Sequence, residues 1–216
     1  MRWTVTVAVV FAGLLASTAL AQDGTTSREW NRRITLARAA KLRPEPIGSK
    51  ASVVVPQWSA YLRQALMPRM DPERRGYRPT YVRCWNDAAW QQEYGRHGIM
   101  GFYQGGAWVH VRYSTCLNAA KAARGQLSTT NAVALATVMH ETFHRQGIHH
   151  EEDASCLGTI AVWDATWRAF SEGLADRAWA RVAAWYRSNT SGLYRGGMRG
   201  CVKRSEWAWN DYNAWE

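Results

Sequence analysis

The sequence predicts an α+β fold, and three segments of the 216-residue chain support that prediction. Short runs of β-branched and aromatic residues between Tyr81 and Tyr113 predict a small sheet. A capped, apolar segment from Ser128 to Gly147 predicts a largely buried helix. A second helical region runs from about Ala154 to Tyr186, and we expect it to pack against the first helix and the sheet.

The first 21 residues have the pattern of a signal peptide. Arg2 precedes an apolar run from Val5 to Leu15, and Ala19-Leu20-Ala21 offers small residues at a cleavage site. We therefore expect cleavage after Ala21, a secreted, periplasmic or cell-envelope location, and no stable membrane insertion afterwards. The alternative is an uncleaved membrane anchor, which needs about 20 apolar residues.

The remaining chain divides into an N-terminal segment and a main domain. Residues 22–50 are expected to form a basic helix, Trp30 to Leu42, and a linker marked by Pro44 and Pro46. Residues 51–216 make up the domain. With 47% hydrophobic and 20% charged residues, the chain has the composition of a globular protein that can form a sizeable core.

Turn residues divide the expected sheet into short pieces. Tyr81 to Cys84 is predicted as a strand, Asn86 to Tyr94 as a helical turn, and Ile99 to Tyr103 with Ala107 to Tyr113 as a hairpin. His110, in the second strand of that hairpin, is expected to have a cross-strand surface role. The second helical region carries an apolar stripe that we expect in the core. The stripe consists of Trp163, Trp167, Phe170 and Leu174.

The four cysteines of an exported protein predict two disulfides. The sequence allows three connectivities and does not choose among them. Our expectation is Cys84 with Cys116, and Cys156 with Cys201. A cysteine zinc site is not expected, because the sequence has no CxxC pair.

The formal net charge of +10 limits the classes of partner. A cationic exported protein can meet anionic cell-wall polymers, acidic substrates or membrane surfaces. No RNA- or DNA-binding module is recognisable, so no nucleic-acid partner is expected.

Four of the six histidines lie within eleven residues, from His140 to His150. Because residues four apart point to the same side of a helix, His140 and His144 can present both imidazoles to one metal ion. Imidazole and carboxylate ligands make zinc the expected metal. Glu141 flanks the same side of the helix, where it can act as a general base.

A catalytic zinc site needs a third protein ligand, and the residues leave that choice open. His150 completes the pattern HExxHxxGxxH, in which the glycine lets the chain turn back to the metal. Glu151 is the neighbouring candidate, and Glu172 is a more distant one. His149 is expected to be an outer or surface group, and Asp153 is expected to orient a ligating imidazole.

These motifs resemble two groups of proteins. The segment from Tyr81 to Ala161, with VRCW, YSTC and HETFHRQGIHHEEDASC, resembles small exported bacterial proteins that carry HExxHxxGxxxExxxxC. That resemblance implies a zincin-like fold and favours Glu151, although His150 stays an equal alternative. HExxHxxGxxH is also similar to the metzincin metallopeptidases, which have a methionine turn below the zinc. Met198 is the candidate for that methionine, and we assign it no role.

The predicted function is a secreted zinc metallopeptidase that hydrolyses a protein or peptide, with Glu141 as general base. In such peptidases a strand near the metal helix pairs with extended substrate. Two alternatives stay open: a cell-wall amidase acting on cell-wall material, and a non-catalytic zinc-binding protein. A closed site needs four ligands, and His140, His144, His150 and Glu151 can in principle supply them. Oligomeric state is not indicated.

Overall fold

The computed structural model describes residues 27–66, 77–94, 99–189 and Cys201. The expected signal peptide and Met198 lie outside these residues. Within them the chain forms seven helices and a four-stranded sheet, which confirms the α+β class. The elements, in chain order, are α1 (Ser27–Ala40), β1 (Ser52–Val55), α2 (Gln57–Leu66), β2 (Tyr81–Trp85), α3 (Asp87–Tyr94), β3 (Gly101–Tyr103), β4 (Trp108–Arg112), α4 (Tyr113–Ala123), α5 (Thr129–Gln146), α6 (Glu151–Ala169) and α7 (Glu172–Asn189).

The sheet has the strand order β1-β2-β4-β3. β3 and β4 form the expected antiparallel hairpin, β4 pairs with β2 in parallel, and β1 pairs with β2 antiparallel. β1 was not predicted, because its four residues show little alternation of polar and apolar side chains and end directly before Pro56. β1 and β3 are therefore the edge strands, and β4 lies inside the sheet.

One face of the sheet is covered by helices. Val82, Cys84, Val109 and Val111 are fully buried on that face, as the alternation of side chains along a strand requires. The disulfide from Cys84 to Cys116 joins β2 to α4 below the sheet. The helix α4 was not predicted, because it begins directly after β4 and its N-cap residue Arg112 provides no side-chain cap.

The central helix is α5, which packs against α4, α6 and α7. The Ser128 hydroxyl accepts a hydrogen bond from the backbone N–H of Asn131 at 3.1 Å, and Gly147 ends the helix with φ of 101°. Both ends thus lie where the sequence predicts them. Because α5 is surrounded on several sides, most of its residues are buried, including His140 and Glu141.

The second helical region is broken into α6 and α7 at Phe170, and the hydroxyl of Ser171 accepts a hydrogen bond from the N–H of Leu174 at the start of α7. The aromatic stripe predicted for the core is only half-buried. The prediction was wrong because the buried side of α6 carries small residues, which let it approach α5 closely. Those residues include Ala154, Gly158, Ala161 and Ala165.

The N-terminal helix packs against later helices of the chain. α1 packs against α6 and α2, and the Arg32 guanidinium donates a 3.3 Å hydrogen bond to the carbonyl of Ala169. Leu42 is fully buried. The second expected disulfide, Cys156 to Cys201, is also present. Among the described helices, none is long and apolar enough to cross a membrane.

Candidate metal centre

Two imidazoles on consecutive turns of α5 point at the same place. The Nε2 atoms of His140 and His144 are 3.0 Å apart, and the rings meet nearly edge to face. His140 is buried, with 5% exposure, and His144 is half-buried. Together with Glu141 they form a group whose possible ligand atoms all lie within 4.8 Å of one another, so it can hold a metal ion.

Glu151, the first residue of α6, brings a carboxylate to the same two nitrogens. Its Oε2 lies 3.0 Å from Nε2 of His140, and its Oε1 lies 3.4 Å from Nε2 of His144. An ion with tetrahedral bonds of about 2.0–2.1 Å separates its ligand atoms by about 3.3 Å. The three side chains therefore have the spacing of ligands around one ion. Glu141 is farther away, with its Oε1 3.9 Å from Nε2 of His140.

The contact between Glu151 and His140 lacks the geometry of a hydrogen bond. Oε2 of Glu151 is buried and has no hydrogen-bond partner, although the His140 nitrogen is 3.0 Å away. A buried carboxylate oxygen without a donor costs free energy. A metal ion between Oε2 of Glu151 and Nε2 of His140 would accept a lone pair from each atom and remove that cost, so these atoms fit as metal ligands.

The second ring nitrogen of each histidine has its own partner. Nδ1 of His144 lies 2.6 Å from the carbonyl oxygen of Ile148, to which only an N–H can donate. Nδ1 of His140 lies 3.2 Å from the hydroxyl oxygen of Ser155, and both side chains are buried. With hydrogens on Nδ1, both Nε2 atoms carry the lone pair that a metal needs.

Ser155 is a residue that the sequence analysis missed. Asp153 was expected to orient an imidazole, and the atom found beside Nδ1 of His140 is the Ser155 hydroxyl oxygen. Ser155 lies one helical turn after Glu151 on α6, so both residues point toward α5. The same four-residue spacing that relates His140 to His144 is the signal that indicates Ser155.

Close approach of the two helices brings Glu151 and Ser155 into reach. A Cβ atom added to Gly158 would lie 3.0 Å from the backbone nitrogen of His140 and 3.1 Å from the carbonyl oxygen of Ala136. A larger residue would therefore push α6 away from α5 at the level of the site. Gly158 was not identified from the sequence, because its role depends on which faces of the helices meet.

The end of α5 is anchored by Gln146, two residues after His144. Gln146 is 1% exposed, and its side chain exchanges two hydrogen bonds with the backbone of Arg78 and donates a third to the hydroxyl of Thr80. These bonds tie the start of β2 to the metal-binding turn. Sequence reasoning did not identify this residue either.

Glu141 is 7% exposed and lies beside the two imidazoles. Burial raises the pKa of its carboxyl, while the charges of His140 and His144 and a backbone hydrogen bond from Tyr103 act in the opposite direction. When the two imidazoles are protonated, His140 first, and then His144, hold the pKa of Glu151 well below its ordinary value. The two carboxyls therefore differ in their affinity for a proton.

A cleft of about 340 Å³ opens beside these residues. The edge strand β3 forms one wall, and it can lie close to α5 because Gly101 has no side chain: an added Cβ would be 3.1 Å from Cγ2 of Thr137. The cleft is lined by Ile99, Gly101, Phe102, Tyr103, Glu141, His144, His149 and Glu151.

Other predicted site residues lie elsewhere. His150, the alternative third ligand, is exposed and occupies the N-cap position of α6. Glu172 is exposed at the start of α7. His149 lines the cleft, and His110 lies on β4, inside the sheet. Of the candidates for the third position, Glu151 is the one whose carboxylate meets the two imidazoles.

Comparison with known proteins gives no family for this chain: no family model, curated protein or solved structure matches it. The α+β class, the two disulfides and the His140-Glu141-His144 group are thus observations on this chain itself. Its function is inferred from the chemistry of these side chains.

Proposed function

We propose that the protein is an exported zinc metallopeptidase in which His140, His144 and Glu151 hold the ion and Glu141 is the general base. The observation that carries this proposal is the convergence of two imidazole nitrogens and one carboxylate at 3.0–3.4 Å, beside a second, buried carboxylate. Two nitrogens and one carboxylate oxygen are a common ligand set of catalytic zinc. Zinc supplies Lewis acidity, which polarises a carbonyl and lowers the pKa of water.

The number of ligands favours a catalytic site over a structural one. Structural zinc sites have four protein ligands, whereas catalytic sites have three and keep one position for water or substrate. His144 and Glu151 both line the cleft, so the remaining position is expected on the side from which a substrate enters. The exposed His150 is expected to stay outside the ligand set.

Glu141 has the surroundings that a general base needs. Burial raises the pKa of its carboxyl, which strengthens its attraction for a proton from water. After accepting the proton, Glu141 can transfer it to the leaving amine, because both water and substrate reach it from the same cleft.

The position of β3 supports an extended peptide as the substrate. One side of this edge strand is not paired within the sheet, and the strand lines the cleft next to Glu141. A peptide can add to such an edge through backbone hydrogen bonds. The strand of His110, β4, is paired on both sides and cannot bind a peptide in this way. Ile99 and Phe102 supply an apolar wall, which favours an apolar substrate residue beside the cleaved bond.

The proposal is tested by comparing zinc content and casein hydrolysis in the mature protein and in Glu141→Gln. We expect one zinc per chain in both proteins and hydrolysis only in the wild type. Glu152→Gln is the matched control, because it makes the same change at an exposed position of α6, and it should retain both properties. Zinc retention without cleavage of casein or of peptidoglycan by the wild type would overturn the hydrolase proposal and leave a non-catalytic zinc protein.

A further inference from the structure

The side of the sheet opposite the covering helices carries aromatic and cationic side chains. We call it the outer sheet face, and it consists of Tyr81, Arg83 and Trp85 from β2 and Trp108, His110 and Arg112 from β4. The register places Tyr81 opposite Trp108, Arg83 opposite His110, and Trp85 opposite Arg112. Every one of these residues is half-buried or exposed, with Tyr81 at 38%. Tyr94 and the fully buried Trp90 of α3 cover the end of the face at Trp85 and Arg112, so its accessible part lies around Tyr81, Arg83 and Trp108.

The rings and the guanidinium groups are in contact. The guanidinium of Arg83 lies 4.8 Å from the centre of the Trp108 ring, and that of Arg112 lies 6.0 Å from the centre of the Trp90 ring. The rings of Tyr81 and Trp108 are 5.3 Å apart and tilted by 41°. Both distances lie within the range of cation–π contacts.

Within the part of the chain that the structure describes, neither arginine has a carboxylate partner. The Nε atoms of Arg83 and Arg112 are buried without a hydrogen-bond partner, and no ion pair involves either side chain among the residues that the structure describes. A buried guanidinium N–H without an acceptor costs free energy, so the described residues do not satisfy these side chains fully. An anionic ligand can bind the N–H groups of Arg83 that reach this face, because guanidinium binds carboxylate through paired hydrogen bonds.

We propose that the outer sheet face binds an anionic glycan, with sugar rings packed on Tyr81 and Trp108 and a carboxylate bound to Arg83. The tilt between the two rings gives no continuous plane for stacked bases, but it suits puckered sugar rings that contact each ring separately. A single accessible guanidinium group matches a carboxylate on some sugars better than a phosphate on every nucleotide. The net charge of +10 adds long-range attraction for a polyanion.

This face is continuous with the cleft, although the binding itself does not depend on the metal. The ring of Phe102 lines the cleft and stacks on His110 at 4.9 Å, with the two planes 4° apart. A glycan bound across the face would therefore hold the cleft close to the polymer. The outer sheet face is thus a second binding site, and its glycan binding can be tested independently of peptidase activity.

Isothermal titration of the mature protein with a galacturonate oligomer tests the proposal, with an uncharged galactose oligomer and a single-stranded oligonucleotide as comparisons. We expect the galacturonate oligomer to bind best. Arg83→Gln and Trp108→Ala should each weaken its binding by at least about tenfold, because each removes one half of the cation–π pair. Circular dichroism shows whether each variant folds. If Trp108→Ala does not fold, binding by Arg83→Gln alone tests the proposal.

Arg177→Gln is the matched control, since it removes the same charge from an exposed position on α7. It should leave binding within about twofold of the wild type, as expected for one screened surface charge. Equal loss in Arg177→Gln and Arg83→Gln would overturn the proposal in favour of unspecific charge attraction. Absence of galacturonate binding, or tighter binding of the oligonucleotide, would also overturn it.

Discussion

The hydroxyl oxygen of Ser155 lies 3.2 Å from Nδ1 of His140, across the contact between α6 and α5. This hydrogen bond fixes the ring so that Nε2 faces Glu151. Ser155 therefore acts on the site through His140, as a positioning residue.

Ser155→Ala is expected to lower zinc affinity by roughly 10–100-fold, the usual effect of losing an outer partner of a ligating histidine. Competition with a chromophoric chelator measures the zinc affinity. Ser171→Ala is the control, because Ser171 caps α7 and its loss should affect stability alone. Equal zinc affinity in Ser155→Ala and the wild type would show that the bond does not position the ring.

Gly158→Ala is expected to destabilise the protein by about 1–3 kcal/mol, because the new methyl group would press on the backbone of His140. Urea unfolding measures the free energy. The control is Gly173→Ala, where the nearest atom is a flexible Arg177 nitrogen at 3.8 Å, and stability should stay within about 1 kcal/mol. If the two substitutions have the same effect, the helices are not in close contact at Gly158.

The stability of the fold is expected to depend on the neutral form of His110. Burial, and then the charge of Arg83, lower the pKa of this imidazole below its ordinary value of 6.5. The Trp85 indole N–H donates to its Nδ1 at 3.0 Å, which requires an unprotonated nitrogen. As the pH falls below 6.5, the unfolded chain takes up a proton that the folded protein binds less well, so this contribution to stability is lost.

Urea unfolding at pH 7.5 and pH 5 measures this effect. The loss of stability on acidification should be larger in the wild type than in His110→Gln, which has no such proton. Since acid also affects the metal-binding histidines, the difference between the two proteins is the relevant quantity. The same loss in both proteins would contradict the assignment of a neutral His110.

Local sequence signals predicted the parts of the structure that local interactions determine. α5 has an N-cap serine, a C-terminal glycine and a continuous apolar face, so its bounds and the direction of His140 and His144 followed from spacing. The hairpin followed from Gly105-Gly106 between two β-rich runs. Both expected disulfides are present, although the cysteine positions alone do not choose among the three possible connectivities.

Features that depend on packing between elements were not predictable in the same way. α4 begins at Tyr113 without a turn or a capping side chain, and the β1 signal is only four residues long. The third position of the metal centre depends on how α6 leaves the turn at Gly147. His150 and Glu151 are adjacent in sequence, and only the rotation of α6 directs the Glu151 carboxylate toward the imidazoles.

The zinc affinities of Glu151→Ala and His150→Ala test the central claim most directly. Competition with a chromophoric chelator on the mature protein gives both values against the wild type. Loss of a ligand should lower the affinity of Glu151→Ala by more than about 100-fold, and the exposed His150 should be dispensable. Normal affinity in Glu151→Ala with a large loss in His150→Ala would contradict the assigned metal centre.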